Sequence, residues 1–194
     1  AIILPAQVAT FPYTFVYDAG APDYDVANGY NDAMDAIAPQ IQRAVDALVK
    51  DYPVLFWLKL GSGGSSFAMD PYQYEYLAND TITMKGLRFD PVAKYDINQA
   101  KTEKTMLDLA VASFNITGTT DYEKIKSIHD GLAAQLTYNH TAAANPGSDT
   151  YLHAHEATGA LITTPMTYSV VCEGYSKAFK LLLDRIGITN ILVI

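Results

Sequence analysis

The chain has 194 residues, 49% of them hydrophobic and 18% charged, which is the balance of a folded globular protein and excludes a disordered one. Its formal net charge is −8, with only 13 Lys and Arg and no basic cluster, which argues against a nucleic-acid partner. No run of about 18 apolar residues occurs, so no membrane span is expected.

The opening residues, Ala1 to Ala6, lack the basic stretch of a signal peptide, and a mature end left after cleavage remains an open alternative. Phe11, Tyr13, Phe15 and Tyr17 alternate, which predicts a short strand with one buried face. Gly20-Ala21-Pro22-Asp23 reads as a turn. Over 31–50, Ile37, Ile41, Val45 and Leu48 form one apolar stripe at helical spacing. Pro39 either opens that helix or kinks it, and Tyr52-Pro53 ends it.

Residues 54–60 predict an aromatic-rich strand. The loop Gly61-Ser62-Gly63-Gly64-Ser65-Ser66 follows, with no Lys after the glycines and a strand pattern at 72–77, so it reads as a hairpin-like loop and not a phosphate cradle. Ile82 to Phe89 predicts the next strand.

Residues 96–114 predict a helix with Leu107, Val111 and Phe114 on one face. A second helix is punctuated by Thr120 or Asp121 as cap and Glu123 in its first turn, with Ile125, Ile128, Leu132 and Leu136 as the buried stripe. Residues 139–170 read as a long polar loop broken by Asn145-Pro146-Gly147. Cys172 to Ile186 then predicts a helix with Tyr175, Phe179, Leu182, Leu183 and Ile186 facing one way and Gly187 as its stop. Ile188 to Ile194 reads as the start of a buried strand that needs neighbours.

Cys172 is the single cysteine, so neither an internal disulfide nor a multi-thiolate metal site is expected. A lone cysteine is by default a small buried hydrophobe. Its place at a helix start points to chemistry instead. Open N–H groups and the helix dipole favour an anion there, and the thiolate is the nucleophile.

The run Val171-Cys172-Glu173-Gly174-Tyr175-Ser176-Lys177-Ala178-Phe179 and its continuation to Ile188 closely resembles the nucleophile helix of bacterial transglutaminase-like proteins. Asp121 to Asp130, with Leu136-Thr137-Tyr138, resembles the helix that opens that domain, and Thr158-Gly159-Ala160-Leu161 the stretch before its cysteine. These matches stand in the right order and cover about residues 120–194, whereas residues 1–95 carry no such likeness.

The resemblance implies an α+β fold with a papain-like core, a nucleophile helix against an antiparallel sheet, here truncated after its first core strand. It implies domains 1–95, an N-terminal α+β region, and 96–194, the N-terminal half of the catalytic domain. It also implies thiol-dependent acyl transfer or hydrolysis on peptide or protein amides by a Cys-His-Asp triad. Only Cys172 is supplied here, since the family's His and Asp follow the cysteine and would lie beyond Ile194. The missing part of the same protein is thus a candidate partner as a second piece, and the chain alone is expected to be nearly inert. No cofactor and no metal are expected. The family context leans towards a secreted or cell-surface protein. The alternative is a non-catalytic relative that binds peptide or cell-surface polymer.

All four histidines precede Cys172. His129 is expected to pack on its helix and His140 to be solvated. His153 and His155 would share one face of an extended chain with Glu156 close by, a donor set for zinc or for a base near the thiol. The family has a variable loop here, so ordinary loop histidines are the expectation.

Overall fold

The computed structural model describes residues 13–16, 38–39, 41–60, 63–69, 74–77, 81–84, 87–162 and 168–193. The chain divides into two compact units, residues 1–45 with 58–92, and residues 46–57 with 93–194.

The first unit is built on short antiparallel strands. Strand β1 (Tyr13–Val16), as the aromatic alternation predicts, pairs with β4 (Thr81–Met84), which also pairs with β3 (Tyr74–Leu77). Phe15 and Tyr76 both stand opposite Ile82, so an aromatic residue flanks the central strand on either side. Strand β2 (Ser66–Met69) pairs with β5 (Leu87–Asp90), setting Phe67 opposite Phe89. The single strand expected from Ile82 to Phe89 is therefore two strands in two sheets, β4 and β5. The glycine-rich loop leads into β2, with Gly63 at φ +65°. The turn expected at residues 20–23 lies outside the described residues.

Residues 41–51 are helical (α1), as the stripe predicts, and the expected portion at 31–37 lies outside the described residues. The strand expected over 54–60 is not formed. Pro53–Leu55 is instead one 3-10 turn, closed by Leu55 N–H donating to Tyr52 O at 2.9 Å. Pro53 at its first turn fixes φ at a helical value and Phe56 is buried, so the run reaches only an isolated bridge at Leu58, where Lys59 N–H donates to Val92 O at 2.8 Å.

The second unit is mostly helical with one small parallel sheet. Helix α2 (Ile97–Ser113) is capped by Asp96, whose carboxylate accepts from the N–H groups of Asn98 and Gln99. Helix α3 (Asp121–Gln135) starts in a capping box: Thr120 accepts from Glu123 N–H, and the Glu123 carboxylate reaches back to Thr120 N–H. The expected long loop over 139–170 is largely structured. It holds α4 (His140–Ala144), a kinked 3-10 segment (Asp149–His155), α5 (Ala157–Leu161) and β7 (Ser169–Val170), which pairs in parallel with β6 (Thr137–Tyr138). Small residues of low pattern contrast conceal these elements in sequence, whereas packing forms them: every residue of α5 is buried.

Helix α6 (Cys172–Arg185) follows and Gly187 stops it at φ +74°, as expected of a left-handed helix end. The core gathers Leu107 of α2, Ile128 and Leu132 of α3, Ala160 of α5 and Ala178 and Leu182 of α6. The overall class is thus mixed helix and small sheet. Among the described residues, α6 packs on α2, α3, α5 and β7, and the antiparallel sheet of a papain-like core is not among its neighbours. Residues 188–193 are not in a strand; Ile191 and Val193 are 79% and 81% exposed. Apolar β-branched composition alone does not make a strand where no described neighbour offers a ladder.

Candidate functional site at the start of helix α6

Cys172 is the first residue of α6 and is exposed. Val171 precedes it in extended conformation and supplies no side-chain cap to the N–H groups of the first turn. Val171 N–H donates to Ala154 O at 3.0 Å, which ties the entry of the helix to the 3-10 segment.

Two glycines allow this close approach. A Cβ on Gly174 would stand 2.5 Å from Ala154 O and 3.2 Å from Glu156 O. A Cβ on Gly159 would strike the carbonyl of His153. Sequence patterning marks the stripe Tyr175, Phe179, Leu182, Leu183 and Ile186. The most buried line is instead Gly174, Ala178 and Leu182, and Tyr175 and Phe179 lie half-buried at its flank. Tyr175 OH donates to His129 O at 3.2 Å, fastening α6 to α3.

The turn that carries Cys172 is bound into a chain of charges. Glu173, the next residue, accepts from Lys177 Nζ at 2.9 Å and meets His155 Nδ1 at 3.1 Å. Lys177 also donates to Glu156 Oε2 at 2.8 Å, and Lys94 donates to Glu156 Oε1 at 2.7 Å. Burial pushes the Glu173 carboxyl up, but the Lys177 charge and the hydrogen bonds from Lys177 and His155 outweigh it and hold it below the usual range. For Lys177, burial acts downward, and the two carboxylates prevail to raise it.

A second cluster adjoins. Glu103 is buried on α2 and accepts from Gln99 Nε2 at 2.8 Å and from the Tyr95 hydroxyl. Burial first, then the bond to Glu103, pushes the Tyr95 hydroxyl far above its ordinary value. His153 lies 3.7 Å from Glu103 and 3.3 Å from Thr158 Oγ1.

His153 and His155 therefore do not share a face or a partner: the segment is 3-10, not extended, and each ring is engaged elsewhere. Among the described residues, no group of three or more His, Cys, Asp or Glu is placed to hold a metal ion. No histidine hydrogen-bonds Cys172 among the described residues. His129 is exposed on α3 beside Asp130, His140 packs edge-on to Tyr138, and His155 Nε2 is buried without a partner.

The residues that sequence reasoning missed are Lys94, Glu103 and Lys177. Lys177 had a readable sign: it falls one turn after Glu173 and among the small residues that become the most buried line of the helix.

A groove of about 470 Å³, not lined by Cys172, opens between the end of α2, α3, α5 and Tyr168. No helix among the described residues is long and apolar enough to cross a membrane. In comparison with known proteins, no protein-family model and no curated protein matches this chain.

Proposed function

We propose that this chain is the cysteine-bearing part of a transglutaminase-like core and that Cys172 is its acyl-accepting nucleophile. The observation that carries the reading is an exposed, lone cysteine at the first position of a 14-residue helix without a side-chain cap. It is supported by the packing of α3 and α5, the two other segments that carry the resemblance, against that same helix.

In the proposed reaction the Cys172 thiolate attacks an amide carbonyl. The C–N bond breaks, the amine leaves with a proton, and a thioester to Sγ remains. An amine or water then attacks the thioester, returns the thiolate, and releases the new amide or the acid. Open first-turn N–H groups and the Cys172 N–H are suited to hold the oxyanion. The proton-handling His and its Asp are, on this reading, contributed by polypeptide that follows Ile194, as a continuous chain or as a second piece.

The test is the rate of iodoacetamide modification of folded chain near neutral pH, beside urea-unfolded chain and a Cys172→Ala control, each read by intact mass. The reading expects the folded thiol to react well ahead of the unfolded one. A folded thiol that reacts no faster than the unfolded one overturns the nucleophile and leaves a non-catalytic binding module.

A further inference from the structure

The groove at α2, α3, α5 and Tyr168 carries an inference independent of Cys172. Its volume, about 470 Å³, is within the range of small-molecule sites. Its lining includes Phe114, Asn115, Ser127, Gln135, Leu161 and Tyr168, and no lining residue is charged.

Its walls are pinned. Arg185 donates to Val111 O at 2.6 Å and Phe114 O at 2.8 Å, which fixes the end of α2. Gln135 Nε2 donates to Ala160 O at 3.1 Å, and Ser127 Oγ accepts from Thr117 N–H at 3.0 Å. Tyr168 is held at φ +54°, the one non-glycine residue with positive φ among those described, and its carbonyl accepts from Thr137 N–H at 2.9 Å. A bulky residue there costs about 1–3 kcal/mol, so the surroundings enforce a conformation that a glycine would adopt freely. Tyr168 in this conformation is one of the residues that line the groove.

The lining leaves polar groups to spare. The Asn115 amide, Gln135 Oε1 and the Tyr168 hydroxyl have no hydrogen-bond partner among the described residues. Neutral donors and acceptors beside aromatic rings match a ligand with both hydroxyl edges and C–H faces. An ion finds no counter-charge here. A peptide finds no strand edge for backbone pairing, because helices supply most of the wall.

We propose that this groove binds a neutral saccharide, with the Phe114 and Tyr168 rings against the sugar's C–H face and the Asn115 and Gln135 amides on its hydroxyls. The experiment is a ¹H–¹⁵N NMR titration of the whole chain with maltotriose, cellotriose and tri-N-acetylchitotriose. An uncharged, end-blocked tetrapeptide serves as comparison, each probe reaching about 10 mM, above a weak millimolar Kd.

The expected result is saturable shifts at the Asn115 and Gln135 amides with at least one sugar, retained in Cys172→Ala. Tyr168→Gly removes the ring while relieving the positive φ, and Asn115→Ala removes an exposed amide that supports no core contact. Each is expected to weaken binding by about three- to tenfold with the spectrum otherwise preserved. The proposal is overturned if no sugar gives saturable shifts, if the shifts fall outside the groove, if only the peptide binds, or if neither variant weakens binding.

Discussion

Lys177 Nζ lies 2.8 Å from Glu156 Oε2, and the two side chains are only 8% and 9% exposed, so an ion pair is sealed beneath the turn that carries Cys172. Taking Lys177 away leaves Glu156 with Lys94 alone, and taking Glu156 away leaves Lys177 with the more exposed Glu173, whereas an apolar pair of similar volume removes both desolvation costs together. Lys177→Met is expected to lower unfolding stability by about 1–3 kcal/mol, read by urea denaturation, since Glu156 keeps Lys94 as a partner. Adding Glu156→Leu should recover part of that loss. Full recovery is not expected, since Lys94 also pairs with Glu156. A Lys177→Met loss under about 1 kcal/mol would show that the pair is solvated.

Gly174→Ala tests the seating of α6. The added methyl meets Ala154 O at 2.5 Å, a backbone atom that cannot swing aside. Despite the better helix propensity of alanine, a loss of about 1–3 kcal/mol is expected in the same assay. A gain in stability would mean that the helix start sits farther from the 3-10 segment.

The capping box of α3 predicts both a mutational cost and a pH dependence. Thr120→Ala should cost about 1 kcal/mol. Hydrogen bonds from the Thr120 and Thr119 N–H groups, then from their hydroxyls, hold the Glu123 carboxyl down at about 2. Because the folded value is depressed, Glu123 stabilises fully above the unfolded value of about 4.3, and the contribution fades as pH falls towards 2. Glu123→Gln should therefore flatten the acid limb of a stability–pH curve between those values. An unchanged limb would show that the carboxylate is not held.

Glu173 behaves in the same sense. Its carboxyl, pushed up by burial but drawn lower by Lys177 and His155, supports the fold above the ordinary carboxylate pKa and loses that support in acid. Glu173→Gln is expected to weaken the protein near neutral pH and to bring its stability closer to wild type as the solution is acidified. A variant whose deficit is the same at every pH would place the effect in packing rather than charge.

Helices α2, α3 and α6 were legible from their periodic apolar faces, and two of them also from a terminal signal: Thr120 with Glu123 opens α3, and Gly187 closes α6. The exposed thiol at the helix start was legible for the same reason. Segments at 54–60 and 188–193 misled, since aromatic and β-branched runs serve equally as core filler or as tail. The buried α5 was hidden, for alanine, threonine and glycine show no amphipathic contrast. The charge chain from Lys94 to His155 was hidden too, because its members come from three separate stretches that only tertiary packing brings together.

The parallel pairing of Thr137 with Ser169 spans α4, the 3-10 segment and α5, so it joins residues far apart along the chain. Such a pair gains nothing until its intervening loop has closed, and the entropy of that closure must be met first. Helices α2 and α3 are local and can form early. The strand that delivers Cys172 is expected to lock last, which makes the rise in thiol reactivity towards iodoacetamide a late clock for folding, readable by quenched-flow labelling.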